Sequence, residues 1–290
     1  MFVHSMTTRA YGKINLGLRI LRKRSDGYHD IETVFHLIDL FDELSFRLHE
    51  RDIILNSTAS QLPTDSSNLC IRAAHLLRDL TGIQEGVEIV LKKNIPMGAG
   101  LGGGSADAAA TLLTLTRLWN LEISPKELHT LAASLGSDVP FFLVGNTAYA
   151  ISRGEQLEPM TLRLPYWIVL VTPPVHVSTA WAYKMLGRDE HAVPLAGFKS
   201  ILLEHANDQE LLSRTLTNDF ERVVFEIHPE IREIKETMLS EGAEVALMSG
   251  SGSSVFGLTK SEAIAGRLVS RLDQAGRVFL TKPHFLAPNS

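Results

Sequence analysis

Hydrophobic and polar residues alternate near the start of the chain, which is the pattern of a β-strand with two different faces. The apolar side chains of one predicted face are Ala10, Ile14, Leu16, Leu18 and Ile20. The other predicted face carries Tyr11, Lys13, Asn15 and Arg19. Residues 1–7 are interpreted as a loose lead-in to this strand. An ordinary polar face is solvated, and that is the simplest interpretation of Lys13.

Strand and helix patterns follow one another along the rest of the chain without strict alternation. Two strands are predicted after the first turn, the second with Leu44, Phe46 and Leu48 in alternation. Later strands are predicted near Ile53 and near residues 87–92, 146–152, 167–171, 244–248, 255–258 and 278–281. Helices are predicted near residues 67–80, after 105, after 124, after 178, and near 198–205, 208–213, 218–226, 230–240 and 261–275. This mixture favours an α+β fold over a doubly wound sheet.

Composition narrows the class of protein. The chain has 290 residues and a net charge of −5, which argues against an extended nucleic-acid interface. Its single cysteine, Cys70, excludes an intramolecular disulfide and a cysteine-built metal site. No apolar stretch is long enough to span a membrane, and the first residues lack the apolar segment of a signal peptide. We therefore expect a cytoplasmic enzyme without a membrane or nucleic-acid partner.

A glycine-rich stretch lies between a predicted strand and a predicted helix, at residues 96–107. Glycine backbones adopt positive φ and approach a ligand closely, so their N–H groups can converge on an anion. A helix that begins near Ser105 would add the positive end of its dipole. The stretch lacks the Gly-Lys-Ser/Thr ending of a P-loop and the setting of a dinucleotide-binding fold. We interpret it as a phosphate-binding loop; the alternative is a flexible connector.

Three further places combine residue types that carry chemistry. Tyr28 and His29 lie in a turn, where they are either a surface pair or a platform that stacks on and hydrogen-bonds a planar base. Asp138 precedes a short buried segment. Its local sequence favours a role as a helix N-cap over a role in catalysis. The small-residue stretch 249–254 joins two predicted strands of a hairpin, either as a flexible turn or as a second surface against the ligand.

Three motifs occur in an order that resembles the GHMP kinase superfamily. They are Ala10-Tyr11-Gly12-Lys13-Ile14-Asn15-Leu16, the glycine-rich stretch from Pro96 to Ala106, and Met248-Ser249-Gly250-Ser251-Gly252-Ser253-Ser254. The resemblance extends over about residues 8–285. It implies a two-domain α+β fold: residues 1–155 would resemble ribosomal protein S5 domain 2 and bind ATP, and residues 156–290 would form a ferredoxin-like domain that contributes to the substrate cleft.

The resemblance also implies roles for individual residues. Lys13 and Asp138 would form the catalytic pair, which replaces the N-cap interpretation of Asp138 or adds to it. ATP would be the phosphoryl donor, with Mg²⁺ as cofactor and the Ser105 hydroxyl as a candidate metal ligand. The implied ATP-binding residues are Pro96, Met97, Gly98, Ala99, Gly100, Leu101, Gly102, Gly103, Gly104, Ser105, Ala106 and Asn68, the last of which is equally well explained as a helix cap.

The stretches 23–29 and 136–142 are similar to the branch of the superfamily whose acceptor is a cytidine diphosphate. The implied acceptor-binding residues are Asn15, Tyr28, His29, Thr179 and Tyr183, with Tyr28 and Tyr183 on the two faces of the cytosine ring. The alternatives are another kinase of the superfamily, acting on mevalonate, homoserine or a sugar, and a nucleotide-binding regulator without catalysis. The expected assembly is a monomer or a homodimer.

Overall fold

The computed structural model describes residues 4–187, 194–195 and 197–288. A six-stranded sheet occupies the first half of the chain, with β3–β4–β2–β5–β6 in spatial order and β1 also pairing with β2. Its strands are β1 (Ser5–Lys23), β2 (His29–His49), β3 (Ile53–Ser57), β4 (Gly86–Lys92), β5 (Thr147–Ser152) and β6 (Gln156–Pro159). The β3–β4 pair is parallel and the other pairs are antiparallel.

Helices cover one face of this sheet with a core of alanine and leucine. They are α1 (Leu69–Thr81), α2 (Gly103–Leu118), α3 (Pro125–Leu135) and the short α4 (Phe141–Val144). Local sequence signals explain two of their boundaries. Asn68 caps α1, which ends at Gly82 in the left-handed conformation. The predicted capping box is confirmed at α3, where Ser124 and Glu127 bond reciprocally across the first turn.

The second half of the chain builds a four-stranded antiparallel sheet in the order β10–β7–β9–β8. In chain order its elements are β7 (Trp167–Thr172), α5 (Thr179–Leu186), α6 (Phe198–Glu204), α7 (Gln209–Thr215), α8 (Glu221–Ile227), α9 (Pro229–Ser240), β8 (Val245–Met248), β9 (Val255–Thr259), α10 (Glu262–Leu272) and β10 (Arg277–Thr281). Counted along the chain, the four strands lie side by side in the order fourth, first, third and second, and helices follow the first and the third strand. This β-α-β-β-α-β arrangement is that of a ferredoxin-like unit. The predicted α+β class and the predicted β8–β9 hairpin are confirmed.

The two sheets pack against each other through a shared hydrophobic core. Ile14 and Leu16 of β1 belong to the same buried cluster as Ile168 of β7 and Phe256 of β9. Leu101 of the glycine-rich stretch is buried in the same core. Because the glycine-rich stretch is anchored in this core, the cleft at its edge is bounded by both halves of the chain. Within the described part of the chain, we find no helix with the length and apolar character needed to cross a membrane.

Three expectations for the first strands were wrong. Residues Ser5 to Thr7 are not a loose lead-in, because they pair with Arg47 to Ser45 of β2; residues 1–3 lie outside the described residues. The two strands expected after the first turn are one continuous strand, β2. Ala10 and Ile14 do not share a face: a register shift between Tyr11 and Lys13 places Ala10 in the core under the helices and Ile14 in the core between the sheets.

The predicted domain boundary at residue 155 falls in the turn between β5 and β6. Since β6 pairs with β5, residues 156–159 belong to the first sheet. The chain then passes to β7 of the second sheet at Trp167. The division into residues 1–155 and 156–290 stays a prediction.

Candidate active site

An open cleft of about 1180 Å³ lies between the two halves of the chain. One wall is formed by the glycine-rich stretch and by β1, and the other by the segment from β7 into α5 and by the loop between β8 and β9. Lys13, Asn15, Asp138 and Thr179 all contribute to its lining. The structure therefore brings residues from distant parts of the sequence to one place.

Glycine is required in the first wall because of both conformation and space. Gly100 has φ of +79°, and a Cβ at that position would lie 2.1 Å from the carbonyl oxygen of Ser249. Gly102 has φ of +68°, and its Cβ would lie 2.9 Å from the Phe142 ring and 3.2 Å from Cε of Lys13. A side chain at either position would therefore strain the backbone and push apart the groups that meet in the cleft.

Helix α2 begins at Gly103, two residues before the predicted start at Ser105. Helix geometry leaves the N–H groups of Gly103, Gly104 and Ser105 without acceptors inside the helix, at the positive end of its dipole. The next residue, Ala106, was expected to bind ATP, but its side chain is buried in the core under the helices and its N–H donates to the Gly102 carbonyl. Ala106 is therefore part of the scaffold of the loop and does not line the cleft.

Lys13 and Asp138 form an ion pair in the cleft. Lys13 Nζ lies 3.5 Å from Asp138 Oδ2, with 4% of the lysine side chain and 35% of the aspartate side chain exposed. The Lys13 backbone N–H donates to the Leu101 carbonyl, which fixes this strand against the glycine-rich stretch. Burial lowers the pKa of Lys13, and the charge of Asp138 opposes that shift. The solvated interpretation of the polar face of β1 was thus wrong.

The expectation that Asp138 is an N-cap was also wrong. Helix α4 begins at Phe141, its N-cap is Pro140, and no side-chain hydrogen bond caps it. The backbone carbonyl of Asp138 accepts from the Phe141 N–H, whereas its carboxylate is directed toward Lys13. The turn into α4 holds the Asp138 backbone and leaves the carboxylate exposed to the cleft.

A chain of hydrogen bonds orients the Lys13 ammonium. Lys13 Nζ donates to Asn15 Oδ1 at 2.7 Å, and Asn15 Nδ2 donates to Thr33 Oγ1 at 2.9 Å. The Thr33 hydroxyl donates to the Gly17 carbonyl at 2.6 Å. Phe35 lies beneath, with Lys13 Nζ at 4.8 Å from its ring centroid. The spacing of Lys13 and Asn15 was visible in the sequence, but Thr33 and Phe35 gave no signal because they reach the site through the pairing of β1 with β2.

Aromatic residues line the far end of the cleft, and Tyr28 and Tyr183 are both among them. Tyr28 is 53% exposed, and the guanidinium of Arg153 lies 4.7 Å from its ring centroid. The Tyr183 ring stacks on His29, with centroids 4.6 Å apart and planes inclined by 19°. Phe220 packs edge-on against Tyr183 at 4.8 Å. One face of the Tyr183 ring is therefore in contact with His29 in this structure.

The loop between β8 and β9 packs against the glycine-rich stretch, and the interpretation of residues 249–254 as a second surface against the ligand stays a prediction. The Ser249 hydroxyl donates to the Gly100 carbonyl at 3.0 Å, and the Ser254 N–H donates to the Ala99 carbonyl at 3.3 Å. Ser251 shares a hydrogen bond of 2.8 Å with the Thr179 hydroxyl, and both residues line the cleft. Ser251 is a site residue that the sequence indicated only through its motif.

Asn68 is placed as a helix cap. Its Oδ1 accepts from the Cys70 N–H at 2.9 Å, and its Nδ2 donates to the Pro63 carbonyl at 2.7 Å. It lines a small recess of about 160 Å³ that shares Leu69 and Gly104 with the large cleft. Both polar atoms of its amide are therefore engaged, beside the cleft and not in its wall.

The donor set for a metal ion is sparse. Within the described ranges, no three His, Cys, Asp or Glu side chains come together in a way that could hold a metal. Mg²⁺ keeps several waters and is usually held through substrate phosphates with only one or two protein ligands. The Ser105 hydroxyl, in the wall of the cleft at the start of α2, fits that role.

Comparison with known proteins agrees with this architecture. The model of the GHMP kinase N-terminal domain matches residues 68–146, and that of the GHMP kinase C-terminal domain matches residues 198–278. A crystal structure of homoserine kinase from Cytophaga hutchinsonii has the same fold, with a TM-score of 0.75 at 21% identity over 98% of this chain and 96% of the other. The fold and the cleft define a GHMP kinase.

Full-length relatives narrow the family further. The chain is 46% identical to 4-diphosphocytidyl-2-C-methyl-D-erythritol kinase of Prosthecochloris aestuarii over 98% of this chain and 99% of that one. It is 43% identical to the Chlorobaculum parvum kinase of the same name, over 96% and 98% of the two chains. A crystal structure of 4-(cytidine 5'-diphospho)-2C-methyl-D-erythritol kinase superposes with a TM-score of 0.79 at 36% identity, over 95% and 98%. The chain belongs to the 4-diphosphocytidyl-2-C-methyl-D-erythritol kinase family.

Proposed function

We propose that this chain transfers the γ-phosphoryl group of ATP to the 2-hydroxyl of 4-diphosphocytidyl-2-C-methyl-D-erythritol, giving the 2-phosphate and ADP, in the non-mevalonate route to isoprenoid precursors. The observation that carries the proposal is the Lys13–Asp138 pair, 3.5 Å apart beside the glycine-rich stretch. Full-length relatives at 46% and 43% identity support the same substrate.

The donor phosphates would bind at the glycine-rich stretch. The first residues of α2 line the cleft, their N–H groups have no acceptors inside the helix, and the dipole adds positive potential where the triphosphate would lie. We propose that the residues from Pro96 to Ser105, which line the cleft, bind ATP. Asn68 lines the adjacent recess. Phosphoryl transfer depends mainly on positioning and charge neutralisation, which such a wall of rigid N–H donors supplies.

The reaction itself would take place at Lys13 and Asp138. The acceptor 2-hydroxyl oxygen forms a bond to the γ-phosphorus, the bond from that phosphorus to the bridging β-phosphate oxygen breaks, and ADP leaves with the electron pair. The hydroxyl proton passes to the Asp138 carboxylate. The Lys13 ammonium would stabilise the developing negative charge on the acceptor oxygen. Asn15, which accepts from Lys13 at 2.7 Å, would hold the ammonium toward the acceptor.

The cytidine end of the acceptor would bind at the aromatic end of the cleft. Tyr28 offers an exposed ring with the Arg153 guanidinium against one side, and the His29 imidazole lines the same cleft. Because His29 already stacks on Tyr183, we propose that the base binds to Tyr28 first and reaches Tyr183 only if His29 turns its edge toward the base. Thr179, paired with Ser251, would bind the part of the acceptor that lies between the two ends.

Mg²⁺ is proposed as the metal cofactor, held mainly by the ATP phosphates and by Ser105. When bound, it would neutralise charge on the phosphates during transfer. The predicted cytoplasmic location and the predicted monomeric or homodimeric state remain expectations from the sequence.

The decisive experiment is a coupled assay of ADP release with a panel of acceptors. We expect turnover with 4-diphosphocytidyl-2-C-methyl-D-erythritol and none with mevalonate, homoserine or galactose, because those acceptors have no base for Tyr28 to stack on. Asp138→Ala, run beside the wild type, should abolish the ADP signal. ATP binding without turnover on any acceptor would favour a non-catalytic regulator instead.

A further inference from the structure

A buried ion cluster lies against the glycine-rich stretch, and its lysine, Lys93, also reaches the lining of the cleft. Lys93 Nζ contacts Asp42 Oδ2 and lies 2.8 Å from Asp107 Oδ2. The exposed fractions of the three side chains are 4% for Lys93, 0% for Asp42 and 4% for Asp107. Charges are removed from water at such a site only when each has a close partner, so the three side chains have little freedom to move apart.

The cluster joins the two ends of the glycine-rich stretch. Asp42 Oδ1 accepts from the N–H groups of Asn94 and Ile95, at 2.5 and 2.8 Å, just before the stretch begins. Asp107 lies one turn into α2, where the stretch ends. Lys93 bonds to both carboxylates, so the strand end and the helix start are tied together through a single ammonium group.

The start of α2 is in contact with this ammonium group. A Cβ built on Gly103 would lie 2.9 Å from Lys93 Nζ and 2.9 Å from a methyl carbon of Ile95. Gly103, the first residue of α2 and part of the cleft lining, therefore packs directly against Lys93. A displacement of Lys93 would be transmitted to the N–H groups of the first turn of α2 without an intervening side chain.

The charges of the cluster indicate that it fixes the conformation of the glycine-rich stretch and does not itself bind phosphate. Lys93 lies against two carboxyl groups, Asp42 and Asp107, and their negative charge offsets the attraction of its ammonium for a triphosphate. Asp107 Oδ1 is buried and has no hydrogen-bond partner in the part of the chain that the structure describes, which is unfavourable for stability. A buried ion pair of this kind contributes little to stability compared with apolar packing, and fixing a unique geometry is the better explanation for its presence.

We propose that Lys93 is a positioning residue of the phosphate site: by binding Asp42 and Asp107 together, it sets the separation of the two ends of the glycine-rich stretch at which the N–H groups converge on the donor phosphates. The proposal rests on the proposed function, because it concerns the binding of ATP and ADP at this stretch. Lys93 acts through Gly103 and the first turn of α2.

The test compares Lys93→Met with Lys92→Met, a change in the neighbouring lysine. Lys92 is 59% exposed and pairs with Glu43 at the surface, so it serves as a matched control. We expect Lys93→Met to raise the KM for ATP and to weaken ADP binding in calorimetry by roughly 10- to 100-fold, since small displacements of binding groups have effects of this size. The KM for the acceptor should stay unchanged, Lys92→Met should match the wild type, and Lys93→Arg should restore much of the affinity.

A second variant covers the case in which Lys93→Met does not fold. The double change Lys93→Met and Asp107→Asn removes one cation and one anion, so the net charge of the cluster is the same as in the wild type. Weak ADP binding by a folded double variant would support the proposal. Wild-type ADP affinity in that variant, or an equal rise in both KM values, would overturn it. A wild type that binds ADP but does not phosphorylate the acceptor would refute the proposed function alone, since calorimetry still tests Lys93.

Discussion

The Lys13 ammonium and the Asp138 carboxylate lie 3.5 Å apart, although one belongs to the first strand and the other to the turn before α4. The lysine is almost fully buried and the aspartate is accessible from the cleft. The two residues therefore have different roles. Lys13 is held in place by Asn15, and the Asp138 carboxylate is accessible to a hydroxyl group in the cleft.

Asp138→Asn tests whether the carboxylate accepts the proton. The amide keeps the size of the side chain but cannot act as a base, so we expect turnover to fall by roughly 10²- to 10⁴-fold with little change in either KM. Steady-state measurement of kcat with both substrates saturating is the readout. Asp79→Asn, at an exposed position of α1, is the control for loss of a carboxylate. Turnover within a few-fold of the wild type would exclude Asp138 as the general base.

We expect Lys13 to determine how kcat/KM depends on pH in the alkaline range. Burial lowers its pKa from the ordinary 10.5, so the ammonium loses its proton at a lower pH than an exposed lysine does. Only the protonated form of Lys13 stabilises the acceptor oxygen. We therefore expect kcat/KM to decline as the pH rises through the lowered pKa of Lys13. Lys13→Arg keeps a positive charge throughout this range, so we expect lower activity but no alkaline decline. A decline at the same pH in the arginine variant would assign the titration to another group.

Local patterns predicted much of the fold, because caps, turns and glycine stretches are recorded within a few residues. Ser124 and Glu127 fix the start of α3, and the spacing of Lys13 and Asn15 predicted that their side chains are neighbours. The conformation of the glycine-rich stretch, with its positive φ values, was also visible in composition. These features depend on interactions between residues that are close together in the sequence.

The partners that come from other strands were not predictable in this way. Thr33 reaches Asn15 through the register of β1 and β2, and that register changes at the bulge after Tyr11. A shift of one residue moves a side chain to the opposite face, so alternation alone placed Ala10 on the wrong face. The Lys93 cluster joins β2, the end of β4 and α2, and Lys93 itself has no local feature that distinguishes it from the exposed Lys92.

Tyr28→Ala tests the proposed base-binding end of the cleft. Stacking on an aromatic face contributes about 1–3 kcal/mol per base, so the KM for the cytidine acceptor should rise roughly 5- to 150-fold. The KM for ATP should not change, because ATP is assigned to the opposite end of the cleft. Tyr28→Phe keeps the ring and should behave as the wild type. Equal rises in both KM values for the alanine variant would refute the stacking role.

We expect His36 to make the stability of the fold depend on pH in the acidic range. It is buried, its Nδ1 lies 2.7 Å from the Thr147 hydroxyl oxygen, and burial lowers its pKa from 6.5 to about 4. Between these two values the unfolded chain binds a proton that the folded protein does not, so stability is fully present above pH 6.5 and is lost as the pH falls toward 4. The expected loss from this residue is roughly 3 kcal/mol.

Urea unfolding at pH 7 and at pH 4.5, with His36→Gln beside the wild type, measures this contribution. The glutamine variant does not titrate, so we expect its free energy of unfolding to fall less between the two pH values than that of the wild type. His49→Gln, at the surface end of the same strand, is the matched control for replacing an imidazole by an amide. Identical pH dependence in the wild type and in His36→Gln would show that acid destabilisation arises elsewhere, and that the imidazole between the two strands is protonated without cost.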